Sequence, residues 1–257
     1  MKYFIFLSIL CANVFASPSV LHYDGDKQTY KYDKDIDKVR PIASVTKLMT
    51  AMVSLNSMAN LDQQLMLSKR SRLVKSSLPK QKYKRIDLLN AMLVKSDNGA
   101  AETLAENFPG GRDAFIKEMN FVAKSLSMHN TSFSDPTGLS NQNLSTAVDV
   151  SKMVSAAGGY GLIRQISVKK QTQIDTRYKK KIRKIVLPNT NRLILVEFDE
   201  VIVSKTGFTN PAGYCVALLV QKKNKNDVIV ILGASNKKER IKKVEEIMFN
   251  DITDESN

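Results

Sequence analysis

Four Ser-x-x-Lys tetrads occur in this chain: Ser44/Lys47, Ser77/Lys80, Ser167/Lys170 and Ser235/Lys238. On a helix, residues three apart share a face. That spacing suits a serine nucleophile with a lysine base, because a hydroxyl attacks poorly until a neighbour takes its proton. A lysine can take it only where burial or another cation lowers its pKa. Context separates the four tetrads. Pro79 interrupts the second, the third lies in a polar Lys-rich run, and the fourth caps the last helix. Only Ser44/Lys47 leads into an apolar helix, with Leu48, Met52, Leu55 and Ala59 in register and Met49 and Val53 widening the stripe. Pro41 places the start of that helix near Ser44. A helix N-cap is the purely structural alternative for this serine.

Two further groupings carry chemistry. Ser96-Asp97-Asn98 interrupts an apolar helical stretch with three side chains that compete for helix hydrogen bonds. Ser96 has a hydroxyl to relay a proton. Asn98 donates and accepts, which suits a substrate amide, and a capped helix junction is the structural alternative. Lys205-Thr206-Gly207 ends a strand-like run. Lys205 and Thr206 would attract a carboxylate, and Gly207 lets backbone approach a ligand closely.

These groups need a scaffold. Ser19 to Asp33 reads as a hairpin turning at Asp24-Gly25-Asp26. The Ser44 helix follows, and Leu61 to Lys84 reads as strand pieces and loops. Apolar helices follow at Ile86–Val94, Gly99–Ala105 and around Phe115, Met119, Val122 and Leu126. His129 to Leu144 is a loop. Thr146 with Asp149 three residues on marks a capped helix that ends at Gly158-Gly159. Leu162 to Val196 is basic and predicts two strands and a connection. Val201–Gly207, Tyr214–Gln221 and Val228–Ala234 are strands, with Lys223 to Asp227 as a turn. Lys237 to Met248 closes as a helix with Ile241, Val244, Ile247 and Met248 inward. The order predicts an α/β (α+β) fold: a mixed or antiparallel sheet of the first hairpin and last strands, flanked by helices, with an inserted helical lobe.

Composition narrows the setting. The net charge is +14, from 39 Lys and Arg against 25 Asp and Glu, which favours anionic surroundings. The cations are scattered apart from Arg177 to Lys184, aromatics are 7% of residues, and no nucleic-acid module is visible. Met1-Lys2, the apolar run Tyr3 to Val14 and Val14-Phe15-Ala16 read as a cleaved secretory signal over 1–16. Residues 17–250 then form the exported domain and 251–257 a disordered tail. No later stretch is apolar enough to anchor the mature chain in a membrane. Cys215 would be its only cysteine, a buried structural thiol.

Ser44-Val45-Thr46-Lys47, Ser96-Asp97-Asn98 and Lys205-Thr206-Gly207 stand in the order found in penicillin-binding proteins and class A β-lactamases. The wider likeness runs through Val39 to Ser44, Pro109-Gly110-Gly111, Pro136 to Ser140, Ser145-Thr146-Ala147 and Lys205 to Asn210. Over roughly Ser19 to Lys243 the chain resembles the low-molecular-mass serine D-alanyl-D-alanine peptidases, most of all the periplasmic D-alanyl-D-alanine endopeptidases. The resemblance implies a β-lactamase/transpeptidase-like fold with an inserted all-helical lobe. It implies a Ser44 acyl-enzyme with Lys47 as base, Ser96 as proton relay and Asn98, Lys205, Thr206, Gly207 and Phe208 binding substrate. The backbone N–H groups of Ser44 and Phe208 would form the oxyanion hole. The implied partners are peptidoglycan peptide stems and β-lactam inhibitors, with no cofactor, metal or nucleic acid. A β-lactamase would need a deacylating Glu in the loop after Ser-Asp-Asn, yet no Glu lies between Glu118 and Glu197, and the loop from His129 to Leu144 offers Asp135 instead. A Ser-His-Asp hydrolase is disfavoured, since His22 and His129 are the only histidines and neither sits in a nucleophile-elbow pattern. Many carboxypeptidases of the group carry an extra C-terminal β domain and an anchor helix. This chain stops soon after its last helix, which favours the endopeptidase over the carboxypeptidase.

Overall fold

The apolar run Gly213 to Val220 is too continuous for a strand with one wet face. In the computed structural model, which describes residues 17–178, 181–196, 200–222 and 225–254, it lies inside a five-stranded antiparallel sheet. The strands are β1 (Ser19–Asp24), β2 (Thr29–Lys34), β9 (Val201–Thr209), β10 (Gly213–Lys222) and β11 (Lys225–Ala234), in the order β2-β1-β11-β10-β9. Both faces are covered. Cys215, Ala217 and Leu219 point to the larger core under the helical insert, while Val216, Leu218 and Val220 point to Val244, Ile247 and Met248 of α7 (Lys237–Asp254). Burial of each such Val, Leu or Ile contributes roughly 1.5–3 kcal/mol.

The chain leaves the sheet through β3 (Arg40–Pro41), which pairs with β6 (Leu144–Ser145), and enters the insert. Its helices are α1 (Lys47–Asn56), α2 (Arg85–Val94), α3 (Asn98–Glu106), α4 (Gly111–Ser125), α5 (Ala147–Ala157) and α6 (Gly161–Ser167). Helix α1 is buried along almost its whole length. Two short antiparallel ribbons accompany the helices, β4 (Gln64–Met66) with β5 (Lys82–Lys84) and β7 (Gln171–Tyr178) with β8 (Lys181–Pro188). They are the strand pieces expected between 61 and 84 and between 162 and 196, so the lobe is helical in bulk but not throughout.

Local chemistry explains most boundaries. Asp24 Oδ1 accepts from the backbone N–H groups of Asp26 and Lys27 at 3.1 and 2.9 Å and closes the first hairpin. Thr146 Oγ1 caps α5 by accepting from Asp149 N at 3.1 Å. Three boundaries differ from the sequence reading. Leu162 to Ser167 is helical, because Ile163 and Ile166 are packed into the core. Lys225 to Asp227 belong to β11, paired across to Val220, Gln221 and Lys222, so the expected turn is shorter; 223–224 lie outside the described residues. Helix α7 runs on from Met248 to Asp254. The expected signal segment, 1–16, and the last three residues, 255–257, also lie outside the described residues. Among the described residues, no helix is long and apolar enough to cross a membrane.

Candidate active site

Ser44 does not cap a helix. It sits in a 3-10 turn, Ala43–Thr46, that feeds directly into α1, and no side-chain cap bond is made there. Ala43 has φ 46°, a left-handed conformation that strains any residue with a Cβ. Two glycines hold that turn. A Cβ on Gly207 of β9 would stand 2.9 Å from Ser44 N, and one on Gly138 would run into the Ala43 carbonyl. The strand and the loop therefore press backbone against backbone behind the serine, which only glycine permits.

Lys47 lies one turn on and is completely buried. Its Nζ donates to Ser44 Oγ at 2.9 Å, to Asn98 Oδ1 at 2.7 Å and to the Thr137 carbonyl at 2.5 Å. Burial is the main cause that lowers its pKa, to about 7, against the opposing pull of Asp135, Asp97 and Glu102. Lys205, the other buried lysine of the site, is not what sets it. The repulsion between the two cations falls on Lys205, whose pKa burial, Lys47 and Arg240 together hold well below the usual lysine range. A lysine poised near neutrality within hydrogen-bond reach of a serine hydroxyl is a competent general base.

The Ser96-Asp97-Asn98 step joins α2 to α3, and each residue does something different. Ser96 has φ 62°, which turns the chain so that Asp97 N–H reaches back to the Ala91 carbonyl at 3.1 Å. Its Oγ is buried without a hydrogen-bond partner. A buried hydroxyl left without a partner costs about 1–3 kcal/mol, and a transferring proton or a bound ligand would relieve that cost. Asp97 caps α3 through Ala100 N at 2.8 Å and accepts from Ser76 Oγ at 2.8 Å and Ser77 N at 2.5 Å. Asn98 is engaged at both ends of its amide. Its Oδ1 takes the Lys47 proton donor and its Nδ2 donates to the Val74 carbonyl at 3.1 Å. It orients the base through its Oδ1.

The third group lies on β9, the edge strand. Lys205 is buried and donates to the Thr206 carbonyl at 2.9 Å, while Thr206 Oγ1 donates to Thr190 Oγ1 at 2.8 Å. Phe208 is half exposed and stacks on Tyr214, with ring centroids 4.2 Å apart. The three expected groups thus meet: Lys47 touches Ser44 and Asn98, and Gly207 abuts the Ser44 amide.

Sequence reading missed three contributors. Asp135 Oδ1 gathers Thr137 N at 2.5 Å, Thr137 Oγ1 at 2.7 Å and Gly138 N at 2.7 Å, while Oδ2 takes Ser140 N at 2.7 Å. This knot shapes the loop whose carbonyl holds Lys47. It also occupies the one acid of the region that a lactamase reading would need. Thr190 braces Thr206. Arg240, from α7, is 5% exposed, donates to the Cys215 carbonyl at 3.3 Å and adds a second buried cation beside Lys205. The Asp-Pro-Thr-Gly run was the only sequence signal for the first, and neither of the others had one. Among the described residues, no cluster of His, Cys, Asp and Glu could hold a metal ion.

Residues 13–236 match the S11 peptidase family, described as D-alanyl-D-alanine carboxypeptidase. A D-alanyl-D-alanine endopeptidase of Escherichia coli is 38% identical over 233 residues, covering 86% of this chain and 73% of that protein. The Streptomyces K15 DD-transpeptidase superposes with a TM-score of 0.83 at 29% identity, over 89% of this chain and 94% of its own. Penicillin-binding protein D2 of Listeria monocytogenes, in its ampicillin-bound form, gives 0.77 at 29% identity, over 90% and 94%.

Proposed function

The chain belongs to the S11 peptidase family, and from that premise we propose that it is a D-alanyl-D-alanine endopeptidase that opens D-alanyl cross-links in peptidoglycan through Ser44. It is a serine-type D,D-peptidase, hence a hydrolase. The observation that carries the mechanism is the Lys47 Nζ at 2.9 Å from Ser44 Oγ, with a pKa near 7.

Neutral Lys47 takes the Ser44 proton as Oγ attacks the D-alanyl carbonyl. The Ser44–carbon bond forms and the carbonyl electrons move to oxygen, where the Ser44 and Phe208 N–H groups would receive them. Collapse expels the amine, which takes a proton through Ser96. Water then adds to the acyl-enzyme, with Lys47 again as base, and frees Ser44. Lys205, Thr206 and Arg240 draw in the carboxylate next to the departing nitrogen. That carboxylate is present both on a terminal D-alanine and on the D-centre of a cross-linking diamino acid. Lys205 and Arg240 therefore orient either substrate and do not distinguish them. A β-lactam would present the same carbonyl and carboxylate and leave Ser44 acylated. Export through residues 1–16 would put the enzyme in the periplasm beside this substrate.

The endopeptidase relative favours cross-link cleavage, and the family description keeps trimming of pentapeptide stems as the second reading. Protein lacking Met1 to Ala16 should convert cross-linked dimeric muropeptides into monomers with little release of free D-alanine, as chromatography of the digest will show. Release of D-alanine from pentapeptide monomers, with dimers untouched, would make it a carboxypeptidase.

A further inference from the structure

The surplus positive charge is concentrated in two segments. Residues 69–84 hold seven Lys or Arg and no acid; 170–184 hold seven and one acid, Asp175. They are far apart in sequence and joined in space by one side chain. Gln81 donates from Nε2 to the Asp175 carbonyl at 3.2 Å and accepts the Arg177 N–H on Oε1 at 2.8 Å. Its amide thus pairs with the free edge of β7 as a neighbouring strand would, and locks the β7–β8 ribbon against the β4–β5 ribbon. The cations Arg72, Lys75, Lys80, Lys82, Arg177 and Lys184 are all exposed.

This basic platform is bolted to the catalytic groups. Asp97 holds Ser76 and Ser77, and Asn98, the partner of Lys47, holds the Val74 carbonyl. On the other segment, the loop after β8 returns Thr190 N–H to the Val94 carbonyl at 3.1 Å and Thr190 Oγ1 to Thr206. The first basic segment is therefore tied to the catalytic groups through residues 74–77, and the second through Thr190 in the loop that follows it. We infer that they form an exosite for an anionic, carboxylate-bearing polymer whose scissile link lies at Ser44 while its neighbouring stems lie across the platform. The inference rests on the peptidoglycan reading above and names where that polymer is held.

Charge complementarity selects this occupant. Stem peptides repeat carboxylates along a glycan, and a field of fixed cations beside a cleft raises the local concentration of such a polymer. Single-stranded nucleic acid would be gripped by stacking as well as charge. Among the described side chains of the two segments, the aromatic Tyr83 is buried, and the large exposed apolar groups are aliphatic, Leu73 at 80% and Ile182 at 66%.

The test separates binding from catalysis. In a Ser44→Ala background, which cannot cut the polymer, the variant Lys80→Gln/Lys82→Gln/Arg177→Gln/Lys184→Gln should co-sediment with purified sacculi about tenfold more weakly at low salt and lose much of its salt dependence. A matched loss of four exposed lysines elsewhere, Lys27, Lys34, Lys117 and Lys124 to Gln, should change binding less than about twofold. With Ser44 intact, penicillin should acylate the platform variant at the wild-type rate. Should the fourfold variant melt early, Arg177→Gln/Lys184→Gln alone should still weaken binding about threefold. Unchanged sedimentation, or an equal loss in the control set, overturns the exosite. So does loss of duplex DNA binding with sacculus binding retained, which would assign the platform to phosphate polymers. Failure of penicillin to acylate the unsubstituted enzyme would count against Ser44 alone, since sedimentation does not use it.

Discussion

Lys47→Ala is expected to lower the rate of Ser44 acylation by penicillin by about 10³-fold or more while leaving the fold intact. The lysine is the one side chain hydrogen-bonded to the serine hydroxyl in the described structure, and it reaches Ser44 Oγ, Asn98 and Thr137 together. Removing it deletes the proton acceptor and leaves the nucleophile in place. Lys47→Arg should fail as badly, since a guanidinium does not give up its proton at usable pH. The same geometry fixes a pH profile. The neutral amine is the working form and its pKa lies near 7, so acylation should climb about tenfold per pH unit below that value and level off above it. Stability moves in the same direction. The folded-state pKa is depressed, so the unfolded chain binds the extra proton between about pH 7 and the ordinary lysine value of 10.5, and the fold gains stability as pH rises through that window. Intact-mass analysis over time, across pH, measures acylation. Retained acylation in either variant, or a flat profile, would mean that another group is the base.

Gly138→Ala should be nearly as damaging, by a different route. The residue has φ 80°, and an added Cβ would strike the Ala43 carbonyl and come within 2.9 Å of Ser44 N. A left-handed alanine costs about 1–2 kcal/mol before any overlap. With the backbone collision the loss should reach about 2–4 kcal/mol, a drop in Tm of roughly 10 °C. Because the turn that relaxes is the one presenting Ser44, acylation should also fall, by about 10²-fold. Thermal melting together with a penicillin time course decides it. An alanine variant with wild-type Tm and rate would show that the loop does not brace the nucleophile.

The elements that carry these groups were legible in the sequence wherever the signal was local. The Leu48/Met52 stripe gave α1, the Thr146/Asp149 cap gave the start of α5, and the apolar run through Val216 to Val220 gave the strand β10. What escaped depended on contacts distant in sequence. Ala43 adopts a positive φ because Gly138 and Gly207 press on the turn from separate parts of the chain, so the expected helix start is a 3-10 turn instead. Asn98 looked free to meet a substrate, yet Lys47 and Val74 claim both ends of its amide. Arg240 comes from the last helix to lie beside Lys205, and nothing in its local sequence marks it. The basic residues looked scattered outside 177–184 because the two segments are far apart in sequence and meet in space, where Gln81 joins them.

Cys215 lies fully buried on β10, opposite Gly207, with its thiol against the Ala212 carbonyl at 3.6 Å and its pKa pushed up to about 11 by burial. A thiol that is both walled off and protonated is inert to alkylating reagents while the sheet is closed. Its labelling rate is therefore a built-in clock for the opening of β9 from β10, the same separation that would pull Gly207 away from Ser44. An acylated enzyme whose bound β-lactam pins that strand should run the clock more slowly than the free one, and thiol trapping would read occupancy of the site from inside the sheet.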